Sequence, residues 1–314
     1  MTNTITVSPL RQRMLEDMAS RQLANGTQIG HIRACKRFAA WLKRSPDTAT
    51  VDEVRAFQID LIVTGTSIQT RNRTMTGLRF LFRVTMRRLD LANEIHHIKE
   101  PTRIPQILSG EEAARLLVMA GHLQTRVLLS IGYGAGLRVS EAVKLKVKHI
   151  DRSRAIIRVE QGKGRKDRQV MLSPELYALL REWWTVRSTH NDEGVPPAER
   201  WLFPGRGDNT HLTPRQVTRL FQQTLTAAGI TKKVTLHALR HSFATHLFDR
   251  GVDIRKIQAL LGHEKLETTA RYTRVATGLI TAIESPLDQL ALPHKAKSGA
   301  TRRRRAKRRD DTNT

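Results

Sequence analysis

Several things are scarce in this 314-residue sequence, and each scarcity closes off a class of function. There is one cysteine, Cys35, so no internal disulfide can form and a reducing compartment is expected. Its apolar neighbours Ile32, Phe38, Ala39 and Leu42 recur at helical spacing, which reads Cys35 as core. Aromatic residues make up 5%, few for a protein that stacks single-stranded bases or RNA on side-chain platforms. No apolar run is long enough to span a bilayer. The opening "MTNTITVSPL" has neither the basic nor the apolar region of a secretory signal. Acidic residues are scarce too: 29 Asp and Glu face 54 Lys and Arg, a net charge of +25. Such a field attracts polyanions. The expected partner is double-stranded DNA, with no membrane, and the expected location is the bacterial cytoplasm, in association with the nucleoid.

What is present suits a folded protein: 39% hydrophobic and 26% charged residues. The first hundred residues read as helices. "SPLRQRMLEDMASRQLANG" starts at Ser8-Pro9 and is expected to stop at Gly26; "TQIGHIRACKRFAAWLKR" follows with an apolar stripe. "TVDEVRAFQIDLIV" opens with Thr50 and Glu53 at capping-box spacing. A fourth helix, "SIQTRNRTMTGLRFLFRVTMRR", carries Arg71, Arg73, Arg79 and Arg83, which are expected to meet the phosphate backbone. Pro101 and Pro105 interrupt the pattern.

A unit of mixed structure follows. Ser109 and Glu112 form a second capping box, and helices are expected near 110–120 and 124–134. Strand-like "AIIRVEQ" and "RQVML" flank the turn "GKGRKD", and helices start at Pro174 and at Thr213-Pro214. The expected organisation is a helical DNA-binding domain over 1–98, a linker over 99–108, a catalytic domain over 109–292 and a disordered basic tail over 293–314. The tail holds nine positive charges against Asp310 and Asp311, or +7 of the total.

Four segments of the second unit carry polar residues that packing alone does not require. In "GAGLRVSEAVKL", Gly134 and Gly136 end a helix so that Arg138 can point inward. "EQGKGRKDRQV" holds Lys163 between two glycines at a tight turn, with Lys166 three residues on. In "TLHALRHSFATHLFDRG", Thr235 is a candidate cap, and His237 and Arg240 share a helical face. "LGHEKLETTARYTRV" ends a helix at Gly262 and offers His263 and Tyr272 beyond it. Phosphodiester attack needs such groups. A tyrosine with pKa near about 10 must lose its proton. Guanidinium forks suit the charge on the non-bridging oxygens, and a lysine on a turn can protonate the leaving oxygen. His237 and His241 stand four apart, but the metalloprotease glutamate and a third ligand are missing, so no metal is expected.

"GLRVSE", "GKGRKDR", "HALRHSFATHLFDRGVDIRKIQALLGH" and "TTARYTRV", in this order, resemble the active-site boxes of tyrosine recombinases, the site-specific integrases and resolvases of the Xer and integron type. The resemblance covers 100–285, and the N-terminal bundle is similar to the family's core-binding domain. It implies a mainly α fold with a small β-sheet in the catalytic domain. It implies that Arg138 and Arg240 clamp the scissile phosphate with help from His263, and that His237 moves the proton of the tyrosine. It further implies that Lys163 protonates the leaving 5′ oxygen and that Tyr272 is the nucleophile, forming a 3′-phosphotyrosyl link. Lys163 is preferred over Lys166, a DNA contact, because it fills the family's "GKG". No cofactor is implied, and a homo-tetramer on two synapsed sites is, with room for accessory proteins. The helix-forming "ATGLITAIESPLDQLAL" is expected to dock on a neighbouring protomer. A type IB topoisomerase and a DNA-binding regulator are the rival readings. Truncation after Leu292 should flatten the salt dependence of DNA binding, measured by titration at several ionic strengths; an unchanged slope would mean that the tail does not touch DNA.

Overall fold

The structure, a computed structural model, describes residues 8–101, 105–160, 167–262 and 269. The chain divides into two compact units, Met1–Arg103 and Ile104–Thr314. In the first, α1 (Pro9–Ser20) begins where the Ser8 hydroxyl accepts the Arg11 N–H. Gly26 does not end it. The chain turns at Gln22, which takes φ +50°, and the Leu23 N–H returns to the Met18 carbonyl. This closure needs no glycine, and Gly26 falls inside α2 (Asn25–Leu42). Helix α3 (Val51–Val63) carries the expected Thr50–Glu53 capping box. Helix α4 (Ile68–Phe80) runs into a π-helical turn, Leu81–Thr85, before the short α5 (Leu89–Asn93).

Phe38, Phe57 and Phe82 meet at the centre of this unit, with Phe38 5.0 Å from Phe57 and 5.9 Å from Phe82, among Met14, Met18, Leu61, Met75 and Leu78. Helices α2 and α4 approach closely because of Gly77: a Cβ there would lie 2.6 Å from that of Ala34. Cys35 packs on this core half-buried, its Sγ 3.6 Å from the Met14 Sδ, and burial pushes its thiol up to about 12.

The second unit opens with α6 (Gly110–Val118), whose Ser109–Glu112 capping box forms as expected, and α7 (Leu123–Gly134). One turn, α8 (Val139–Ala142), leads to an antiparallel sheet of β1 (Ile150–Asp151), β2 (Ile156–Val159) and β3 (Arg168–Met171). Ile157 pairs with Val170, and both side chains enter a core with Val127, Ile131, Leu145 and Phe203. Strand β1, two residues long, has no readable periodicity and was not expected. Helices α9 (Pro174–Val186), α10 (Pro214–Ala227), α11 (His237–Asp249) and α12 (Ile254–Leu261) follow. Thr235 does not cap α11: Leu236 takes that position, and no side chain caps it. Among the described residues no helix is long and apolar enough to cross a membrane.

One expected DNA contact is placed otherwise. Arg71 is 1% exposed, and its guanidinium donates to the His96 carbonyl at 3.1 Å and to Gln58 Oε1 at 3.3 Å, joining α4, α3 and the segment after α5. Helical periodicity put it on the basic face, but its long side chain turns under the bundle to satisfy buried oxygens. Arg79 is half-buried and donates to the Ile95 carbonyl, whereas Arg73 and Arg83 are exposed. Arg71→Ala should therefore cost about 3 kcal/mol in denaturant unfolding, and Arg73→Ala no more than about 0.5 kcal/mol. Equal, small effects would contradict the structural role of Arg71.

Candidate active site

Three of the six expected catalytic residues are described: Arg138, His237 and Arg240. Lys163, His263 and Tyr272 lie outside the described residues, as do Lys166, the segment 276–292 and the tail.

Arg138 is delivered by a glycine. After α7 ends, Gly136 takes φ +64°, and a Cβ there would meet the Phe243 ring of α11 at 2.5 Å. The loop can thus lie directly on α11, and Arg138 becomes the N-terminal cap residue of α8. On α11 itself, Arg240 is 1% exposed. Its Nη1 donates to the Gly136 carbonyl at 2.7 Å, and its Nη2 donates to the Leu261 carbonyl at the end of α12. One buried guanidinium therefore joins the box of Arg138 to the residues just before His263. The carbonyls at a helix C-terminus lack intrahelical partners and carry partial negative charge, which suits a cation there. His237 is the first residue of the same helix and is exposed; its ring stands edge-on to that of His241, with centroids 4.5 Å apart. His246, further along α11, meets the Tyr133 hydroxyl at 2.9 Å through its Nδ1.

Two residues that sequence reasoning gave no role, Glu141 and Arg168, complete the arrangement. Glu141 is buried and accepts from the Arg138 backbone N–H at 2.9 Å and from Arg138 Nη1 at 2.8 Å. Arg168, the first residue of β3, grips the same carboxylate as a fork, at 2.9 and 2.7 Å, and its Nε donates to the Leu260 carbonyl at 3.0 Å. Burial alone would raise the Glu141 pKa. The Arg168 fork and its charge, followed by the two Arg138 donors, override that and hold it at about 2. The signal was present in the sequence: the one acid of the box, three residues after Arg138.

Residues 106–278 match the phage integrase family, and residues 10–89 match the phage integrase N-terminal SAM-like domain. The chain belongs to the phage integrase family. A Sinorhizobium fredii protein bearing an integrase/recombinase name is 39% identical over 297 residues, 93% of this chain and 92% of its own. The tyrosine recombinase XerD of Caulobacter vibrioides is 33% identical over 277 residues, 83% of this chain and 90% of its own. Among solved structures, the XerH site-specific recombinase bound to its difH substrate, before cleavage, is 27% identical with a TM-score of 0.58, over 73% of this chain and 68% of that one. The chain is a tyrosine recombinase, and its activity is site-specific recombination by DNA strand cleavage and rejoining.

The carboxylate network has a pH signature. A depressed pKa means that the stabilisation is complete above the ordinary value of 4.5 and is lost as pH falls toward about 2. Unfolding measured by circular dichroism should show wild type more stable than Glu141→Gln at neutral pH, with the gap closing between 4.5 and 2. A gap independent of pH would contradict the network.

Proposed function

We propose that this recombinase cuts duplex DNA with Tyr272 and moves or resolves a mobile element. The observation that carries the site assignment is the pair of hydrogen bonds that Arg240 donates, to the Gly136 carbonyl at Arg138's loop and to the Leu261 carbonyl just before His263. It supports one site built from boxes that are far apart in the sequence. The tyrosine inventory supports the nucleophile. The chain has three tyrosines. Tyr133 shares its hydroxyl with His246, and burial raises its pKa. Tyr177 is half-buried against the core, with the Arg152 guanidinium 5.4 Å from its ring centre. Both are committed to packing, which leaves Tyr272 in the box "TTARYTRV".

In this reading the Tyr272 oxygen attacks phosphorus while His237 accepts its proton. Arg138 and Arg240 hold the non-bridging oxygens, with His263 donating to one of them. Arg138 keeps 20% of its side chain exposed, whereas Arg240 is 1% exposed, so Arg138 is the more accessible of the two. The bond from phosphorus to the 5′ oxygen breaks, and Lys163 supplies that oxygen's proton. The 3′-phosphotyrosyl bond keeps the phosphodiester's energy, so attack by another strand's 5′ hydroxyl rejoins DNA without a nucleotide. Four protomers on two sites would exchange the strands in pairs, with accessory proteins where the site requires them. The exposed Arg73 and Arg83, together with Lys166, would hold the backbone, and the protein would reside on the nucleoid.

Detergent lysis of bacteria expressing the chain, followed by sequencing of protein-attached DNA, tests this. Attached DNA should pile up at one sequence and vanish in Tyr272→Phe, which should keep its DNA affinity. Attachment surviving in that variant would mean another nucleophile, and attachment without sequence preference would point to a relaxing topoisomerase. Arg138→Lys should cut adduct formation about a hundredfold, since a point charge cannot replace the fork; near-normal yield would contradict the clamp.

A further inference from the structure

We propose that Arg168 is a positioning residue: it neutralises Glu141, so that the Arg138 guanidinium remains available to the scissile phosphate. The inference rests on the reading of Arg138 as a phosphate ligand. Glu141 has two oxygens and four N–H donors around them, two from each arginine, but the two guanidiniums contribute unequally. Arg168 takes both oxygens through both of its Nη atoms, whereas Arg138 spends a single Nη and its backbone N–H. The arrangement of two guanidiniums on one carboxylate keeps a net positive charge. Without Arg168, a carboxylate with 7% of its side chain exposed would have Arg138 as its remaining charge partner. The favourable geometry for that pair is the bidentate fork, which would draw both Nη atoms of Arg138 onto Glu141 and cancel its charge.

Exposure separates the two arginines. Arg168 keeps 9% of its side chain exposed against 20% for Arg138, so Arg138 is the one placed for DNA and Arg168 the one placed beneath it. The position of Arg168 extends its influence. It stands at the start of β3, five positions after Lys163 in the sequence, and its Nε holds the Leu260 carbonyl next to the one that Arg240 holds. The end of α12 is thus fixed by two guanidiniums, and Gly262 packs so closely that a Cβ there would lie 2.8 Å from Arg168 Cδ. Arg168 joins the partner of Arg138 to the end of α12.

The test is single-turnover cleavage by the full chain on a nicked duplex carrying the site recovered by trapping, with DNA affinity and thermal melting measured in parallel. Arg168→Gln should slow adduct formation about a hundredfold while DNA affinity stays within about threefold of wild type. Adding Glu141→Gln removes the charge that captures Arg138 and should restore about tenfold of the rate, at a temperature where both variants are folded. A merely structural Arg168 would show recovery in melting without recovery in rate. A single variant within about threefold of wild type, or a double variant as slow as the single, would overturn the proposal. If Arg168→Gln does not fold, Arg168→Lys takes its place. It keeps the charge and should lose less than about tenfold, and a folded variant slowed a hundredfold or more would overturn the proposal. If wild type itself forms no adduct, the reading of Tyr272 and Arg138 fails, and this inference with it.

Discussion

Like charges have to be collected where a phosphodiester is to be attacked, and a folded protein resists collecting them. The buried carboxylate of Glu141 lets two guanidiniums gather in the candidate site, with Arg138 and Arg168 both hydrogen-bonded to it and its pKa held at about 2. The carbonyls of Leu260 and Leu261 at the end of α12 do similar work for Arg168 and Arg240. Full and partial negative charges are interleaved with the guanidiniums, so the cluster can exist before DNA arrives. Phosphate would then find donors already oriented, which is the condition for electrostatic stabilisation of a transition state.

The glycine at 136 is the backbone counterpart of that arrangement. Its left-handed conformation and missing Cβ let the loop of Arg138 lie against Phe243, within reach of Arg240. A side chain there would push the two boxes apart. The N-terminal unit shows the same economy at Gly77, where α2 and α4 touch, and at Arg71, whose charge goes to buried oxygens rather than to the surface.

Much of this was legible in the sequence because the signals are local. The Thr50–Glu53 and Ser109–Glu112 boxes, the proline starts of α9 and α10, and the break before Arg138 each depend on neighbours within a few residues. The failures have a common cause in tertiary geometry. Gly26 reads as a helix stop until Gln22 is seen to close the turn, and Thr235 reads as a cap until Leu236 occupies the site. Arg71 sits on the basic stripe by periodicity, yet its guanidinium reaches beneath the bundle. In the candidate site, residue types and order pointed to the chemistry, but the sharing of Glu141 depends on β3 being brought to α8, a contact across 27 positions. No local pattern encodes that.

The most direct measurement is to digest the trapped protein–DNA adduct with nuclease and protease and locate the residue that carries the nucleotide remnant by mass spectrometry. The remnant should lie on Tyr272 and nowhere else. A remnant on Tyr133 or Tyr177, the two tyrosines engaged with His246 and Arg152, would contradict the assignment of the site.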